Sequence, residues 1–394
     1  MLDRTISILK KIPRGYYFFG IFAFLFVGLM VFVEMKNGKF WTNDLRVYTA
    51  ATRHFFQGGN PYKIPYGLGS GYFKYAPTNI YFFTTISFLH FIWAQLLHTL
   101  VLVLSLIISV SLLHRHFIFR NEKRRMGLLY LFFVFIAVHL VREVHLGNVN
   151  LILMFLFVAG LIAYKEGKEN LLVLTWSFML LLKPIVIIVV VPMVFLMMWK
   201  AVSKMAFLGL LFFLIPFIHM GSKGFTLWQG WITALSGHED TYASTNCLRY
   251  LSAYYLNTDS AWTPSLIGLG MILMLMVLDR MKSSVDKAYF WSWSAVLLAF
   301  TPNFFVTDTE HFLLSLPMII LLVSEILRSE NRWRWLPFTV LMIGYSLQSN
   351  DLWGKALSAH MSELGVLGLS NLGLIALFIF LRSTSVSAQR LAVN

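Results

Sequence analysis

Thirteen apolar stretches run along the chain, near residues 17–33, 78–93, 95–113, 127–141, 148–163, 171–182, 184–199, 205–219, 263–279, 289–301, 311–327, 335–348 and 364–381. A helix needs about 20 such residues to cross a bilayer, and only short polar segments separate the stretches. The pattern predicts an all-α integral membrane protein, a multi-span helical bundle of about twelve transmembrane helices. One of the thirteen stretches then falls short of a crossing. No soluble domain fits between them, so residues 1–394 read as a single polytopic membrane domain.

Two polar segments carry helical periodicity of their own. In "FWTNDLRVYTAATRHFFQGGNPY" (40–62), Leu45, Tyr48, Ala51 and Phe55 form one stripe, and Arg46, Thr49 and Arg53 form another. Thr42 or Asn43 can cap this helix, which is expected to run to Gln57 and stop at Gly58–Gly59. It is expected to lie on the outer membrane surface as an amphipathic helix. "FTLWQGWITAL" (225–235) sets Trp228, Trp231, Ile232 and Leu235 along one face, which predicts a second interfacial helix with ordinary tryptophan anchors.

Charge decides sidedness. Arg4, Lys10, Lys11 and Arg14 precede the first apolar stretch, and no small-residue cleavage site follows it, so it reads as a retained span. Basic loops at 114–126, 164–170, 199–204, 279–287 and 328–335 belong inside the cell, which leaves 34–77, 220–262, 302–310 and 349–363 outside. The alternation holds if 78–93 is a short or re-entrant helix; otherwise the charge rule fails at that loop. It also constrains residues 171–199, which begin and end inside within too few residues for two full crossings. Two short helices turning at "LKP" would put Lys183 at an apex in the outer half of the membrane. One long tilted helix would bury Lys183 in mid-membrane instead.

Composition agrees with the pattern. Charged residues make up 13% of the chain, against about 25% in soluble domains. The net charge of +14 sits in the inner loops and carries no nucleic-acid motif, so no nucleic-acid partner is expected. The single cysteine, Cys247, excludes an internal disulfide framework.

The candidate chemistry gathers on the outer face. Asp44 sits in a first helical turn, where the dipole favours an ionised carboxylate. "HLGNVN" (145–150) brings His145 to the start of a span, and Lys183 stands at the apex. "STNCLR" (244–249) brings Asn246 and Arg249, and "DTEH" (308–311) brings Asp308, Glu310 and His311. Each residue has an ordinary explanation. Asp44 can stabilise a helix end, the histidines can be interfacial, Arg249 can snorkel, and Asp308 with Glu310 can be a solvated acidic loop. Together they suit group transfer from a lipid phosphate: a carboxylate takes a proton from an acceptor hydroxyl, and cations hold the departing phosphate. Such a reaction needs no cofactor, and a metal is neither required nor excluded.

The pattern Asp44–Tyr48–Ala51, then Gly58, "NPY" (60–62) and "FKYAP" (73–77), resembles glycosyltransferase family 87. This is a GT-C-fold branch that includes polyprenol-phosphate-mannose-dependent mannosyltransferases acting on phosphatidylinositol mannosides. "LGNVNLIL" (146–153), "LLLKPIVII" (180–188), "STNCLRYL" (244–251) and "EHFLLSLP" (310–317) resemble its further segments, in the same order. The resemblance implies Asp44 as catalytic base, and Lys183, Arg249 and His311 as contacts to the donor phosphate or sugar. Tyr48, Tyr62, Tyr75, His145, Asn148, Asn150 and Asn246 would be further substrate contacts. It implies a GT-C-type bundle in the cell (inner) membrane, its active site built from outer loops 34–77 and 220–262 and facing the periplasm or exterior. The expected reaction is an inverting transfer of a hexose, with mannose the expected sugar, from a polyprenyl-phosphate-linked donor to a lipid or glycan acceptor. Asn148 stands where the family has Gln, and Cys247 follows Asn246 where Gln-Ser is usual, which leaves the hexose open.

Two other classes remain at this stage. A transporter or flippase of lipid-linked sugars should show ionisable residues in mid-span and repeated halves, and neither is visible. A structural partner in an envelope complex would leave the polar groups idle.

Overall fold

The computed structural model describes residues 13–62, 64–67, 71–118, 126–236, 245–258, 262–282, 287–305, 308–329 and 331–391. Every apolar stretch lies largely on helix, but the described residues do not show twelve spans. Seven helical segments are long and apolar enough to cross a membrane: Arg14–Lys36, Phe91–Ile118, Gly127–Leu146, Trp199–Met220, Thr263–Met281, Thr309–Arg328 and Val366–Thr384. The other stretches form shorter helices, because proline or a polar break interrupts them; hydropathy alone does not distinguish a buried short helix from a crossing.

The first span, α1 (Arg14–Lys36), is followed by α2 (Asn43–Phe56), α3 (Thr78–Ser87) and α4 (Phe91–Leu113). At ten residues α3 is about 15 Å long, half the thickness of a bilayer core, so 78–93 is the short element in the pattern. Arg53 of α2 pins the break after it, donating to the carbonyls of Ser87 and, at 3.0 Å, Leu89. These are end-of-helix acceptors that no residue within α3 can satisfy.

Next come α5 (Gly127–Leu146), α6 (Asn150–Lys165) and α7 (Glu169–Leu182). The turn between α5 and α6 depends on Gly147. Its φ is +67°, and a Cβ there would meet the Cβ atoms of Leu45 and Thr42 at 3.0 and 3.1 Å. Only glycine accepts that backbone and that approach together.

After α7 the helix breaks. Pro184 disfavours helical geometry at the preceding residue, and Lys183 is extended, with φ −140° and ψ 96°. The chain continues as a 3-10 helix (Pro184–Val190), the short α8 (Val191–Phe195), then α9 (Trp199–Met220) and α10 (Lys223–Ser236). Lys204, near the start of α9, pairs with Glu169 at the start of α7 at 3.1 Å. The chain therefore reverses direction between them. The first helix of 14 residues spans about 21 Å, less than a membrane core. Lys183 stands at the turn of a short hairpin, and the single tilted helix is excluded. Asn79 of α3 caps the first limb, donating to the Leu181 carbonyl at 2.7 Å.

The remaining helices are α11 (Leu248–Leu256), α12 (Thr263–Lys282), α13 (Lys287–Phe304), a 3-10 turn (Thr309–Ser315) leading into α14 (Leu316–Arg328), α15 (Trp335–Ser346), α16 (Asn350–Trp353), α17 (Lys355–Glu363) and α18 (Val366–Leu391). The Thr309–Arg328 segment lies almost wholly inside the bundle, while α1, α9 and α12 turn most of their surface outward. An aromatic stack of Phe157, Trp176 and Phe290, with centroids 5.5 and 5.4 Å apart, ties α6, α7 and α13 together.

The two amphipathic helices pack more closely than their stripes alone require. The stripe Leu45, Tyr48, Ala51 and Phe55 is buried as the spacing predicts, but so are Val47, Thr49 and Thr52, so α2 packs among helices on more than one face. The Thr49 hydroxyl tolerates burial because it bonds back to the Leu45 carbonyl at 3.0 Å. On α10 the inward stripe is Gly224, Leu227 and half-buried Trp231, while Ile232 and Leu235 are exposed. Trp231, on the expected apolar face, turns inward and donates to the Lys74 carbonyl at 2.9 Å.

Candidate functional site

Four chain breaks meet at one end of the bundle: the start of α2, the α5–α6 turn, the apex after α7 and the 3-10 turn at Thr309. Each brings polar groups that the apolar helices could not hold along their length. Lys183 is the hub. Its ammonium donates to Asn150 Oδ1 at 2.8 Å and Asn148 Oδ1 at 3.0 Å, and lies 2.9 Å from His311 Nε2. An ammonium only donates, so His311 accepts at Nε2 and carries its ring proton on Nδ1, 3.6 Å from Glu310 Oε1.

Two acids frame the hub. Glu310 is fully buried, receiving Arg142 Nε at 3.0 Å and Asn148 Nδ2 at 3.3 Å. Arg142 also lies 3.8 Å from Asp308. Glu143, likewise fully buried, receives Asn150 Nδ2 at 2.9 Å and the Leu151 backbone N–H at 3.2 Å. The expectation of a solvated acidic loop at Asp308 and Glu310 is thus wrong for Glu310.

A tyrosine group forms the adjoining wall. The hydroxyls of Tyr48 and Tyr75 are 2.8 Å apart, each 3.5 Å from Asn148 Oδ1, and Tyr62 donates to the Tyr75 carbonyl at 2.9 Å. Burial pushes the phenols of Tyr48, Tyr62 and Tyr75 well above the usual tyrosine range. They act as neutral hydrogen-bonding groups.

Asp44 is held at this end by an unusual helix start. Thr42 does not cap α2 with its side chain; it is left-handed, with φ 40°. The Thr42 hydroxyl instead accepts from Gln95 Nε2 at 2.8 Å, and its N–H donates to the His145 carbonyl at 3.0 Å. A β-branched residue at positive φ is strained, and these two bonds hold it there.

Burial lifts the Asp44 carboxyl from 3.8 to about 6; Lys183 opposes the rise and Asp308 adds to it. The helix dipole, worth about 0.3–2 kcal/mol, does not offset this desolvation, although the group still ionises above pH 6. Among the described residues no hydrogen bond to the Asp44 carboxylate occurs, so its lone pairs stay available. Lys74 is a second cation facing Asp44 and Asp308, its ammonium lowered by burial.

Two expected residues, His145 and Asn246, have their hydrogen bonds outside this group. His145 points to α1, 2.9 Å from Glu34 and edge-on to Trp41. Asn246 joins a different network, exchanging hydrogen bonds with Gln348 at 2.9 and 3.2 Å and accepting from the Gly368 N–H at 3.1 Å. Arg249 lies in the first turn of α11, three residues after Asn246. Sequence reasoning missed Lys74, Arg142 and Glu143. The signal for the last two was "VREVH" (141–145), two charges on the last turn of an apolar run. Among the described residues, no group of three or more His, Cys, Asp or Glu side chains is arranged to hold a metal ion.

An apolar cavity of about 170 Å³ opens beside Pro184, between the hairpin, α9 and α10, with Leu180, Leu181, Phe212, Phe213, Trp228 and Trp231 among its lining. The family model of glycosyltransferase family 87 matches residues 73–306, more than half of the chain. The match contains Tyr75, Asn148, Asn150, Lys183, Asn246 and Arg249; Asp44, Tyr48, Tyr62 and His311 lie outside it. No curated protein and no solved structure matches the chain.

Proposed function

The chain belongs to glycosyltransferase family 87, and from that premise we propose that this multi-pass membrane glycosyltransferase moves a hexose, with mannose the expected sugar, from a polyprenyl-phosphate-linked donor to a lipid or glycan acceptor. The observation that carries the reading is the pairing within one polar cluster of a desolvated carboxylate, Asp44, with a cation, Lys183, held by Asn148, Asn150 and His311.

In the proposed step the acceptor hydroxyl attacks the anomeric carbon. The new carbon–oxygen bond forms as the bond to the phosphate oxygen breaks, with inversion. The bonding electron pair leaves with the polyprenyl phosphate, and Asp44 takes the hydroxyl proton. Lys183 neutralises the departing anion, which requires its ammonium to exchange a side-chain acceptor for a phosphate oxygen. Tyr48 and Tyr75, braced by Tyr62, offer hydroxyls to the sugar. The isoprenoid chain would lie in the apolar cavity lined by Pro184, the residue after Lys183, whose lining suits an alkenyl chain. We place this end of the bundle on the periplasmic or exterior side of the cell membrane, from the distribution of basic loops. The proposal does not draw on His145, Asn246 or Arg249.

The test is incubation of the purified protein in detergent with polyprenyl-phosphate-linked mannose, glucose and arabinose in turn, plus membrane lipid extract as acceptor. Loss of the mannose donor with release of polyprenyl phosphate is expected. Persistence of all three donors would contradict the assignment.

A further inference from the structure

Glu143 is buried on the last turn of α5, and nothing in the proposed step uses it. Its two oxygens have separate partners. Oε1 accepts the N–H of Leu151 in the first turn of α6, a helix whose own preceding residue, Val149, has no capping side chain. Oε2 accepts Asn150 Nδ2 at 2.9 Å. The Asn150 amide is therefore read from both ends: its nitrogen faces an acceptor-only group, and its oxygen faces Lys183 Nζ at 2.8 Å. A carboxylate cannot donate, so the reversed amide, with its oxygen towards Glu143 and its nitrogen towards the ammonium, has two repulsive contacts.

We infer that Glu143 is a positioning residue that fixes the Asn150 amide with its oxygen towards Lys183, and so aims the ammonium at the donor phosphate. The inference rests on the reading that Lys183 binds that phosphate. It differs from simple helix capping, which needs only an oxygen opposite the Leu151 N–H.

Glu143→Gln separates the two roles. The variant keeps an oxygen for Leu151 but offers Asn150 an N–H where a lone pair is needed. Either Asn150 turns over and presents N–H groups to the ammonium, or the glutamine turns over and the cap is lost. The double swap Glu143→Gln with Asn150→Asp restores the sequence of donors and acceptors. The glutamine oxygen accepts from Leu151, its nitrogen donates to the new carboxylate, and the other carboxylate oxygen accepts from Lys183.

The probe is polyprenyl phosphate without sugar, titrated against the full-length protein in detergent and followed by tryptophan fluorescence. Lys183→Ala, measured in parallel, should weaken binding at least tenfold. Glu143→Gln should weaken it at least fivefold, and the double swap should return it to within about threefold of the parent. If Lys183→Ala leaves affinity unchanged, the phosphate reading of Lys183 falls. If Lys183→Ala weakens binding and Glu143→Gln does not, or the folded double swap fails to restore it, the positioning role of Glu143 falls alone. Should Glu143→Gln fail to fold, Asn150→Ala decides: it leaves the Glu143 cap intact and removes the oriented oxygen. A loss like that of Lys183→Ala is then expected, and parent-like affinity would overturn the inference.

Discussion

Asp44→Asn should make the protein more stable, by an amount that depends on pH. The substitution keeps the size of a first-turn side chain that lies past the N-cap Thr42, but removes the charge. The fold lifts the carboxyl from 3.8 to about 6, after the opposition of Lys183 is included. Each pKa unit corresponds to about 1.4 kcal/mol, so ionised Asp44 costs roughly 3 kcal/mol, an upper value because the side chain is only partly enclosed. The fold favours the neutral acid. Below pH 3.8 the group is neutral folded or unfolded and costs nothing; the cost grows between 3.8 and about 6 and is complete above. Wild type should therefore lose stability relative to Asp44→Asn as pH rises through that window. Differential scanning fluorimetry in detergent from pH 4 to 8 would read this as equal Tm values at pH 4 and a variant a few degrees higher at pH 8. A variant less stable than wild type at pH 8 would refute the reasoning and make Asp44 a stabilising helix-end charge.

Other consequences are open to measurement. Gly147→Ala places a Cβ against Thr42 and Leu45 at positive φ, at a cost of at least about 1–2 kcal/mol from the backbone alone. A lower Tm and reduced turnover together are expected, since the start of α2 must move. Single cysteines beside Asn148 and Thr309, in a Cys247→Ser background, should react in intact cells with an impermeant thiol reagent. Labelling only after the membrane is breached would reverse the assigned orientation.

The parts of the site that could be read in the sequence are those where a polar residue interrupts an apolar run at a chain break. "LKP" is one: proline forces the break, the flanking lengths are too short to cross, and the lysine must stand at the apex. "GNVN" is another, since two amides after a glycine cannot continue a lipid-facing helix. Glu143 was not legible, because a charge on the last turn of an apolar helix looks the same whether it meets headgroups or lies buried beneath a neighbouring turn. Asn246 was legible only in part. Its motif marked it, but its partners are Gln348 and the α18 backbone, a pairing across more than a hundred residues that no local pattern encodes. Twelve spans are not shown among the described residues for a related reason. Hydropathy measures whether a segment avoids water, and a helix buried among other helices avoids it as well as one facing lipid.

The central claim is that Asp44 accepts the proton when sugar leaves the phosphate. Its most direct test is turnover of radiolabelled polyprenyl-phosphate mannose at pH 8 by wild type and Asp44→Asn, both shown to be folded by their melting curves. The account predicts transfer of label to the acceptor fraction by wild type and a rate about 10²–10⁴-fold lower in the variant. An Asp44→Asn protein that transfers label at the wild-type rate would contradict it.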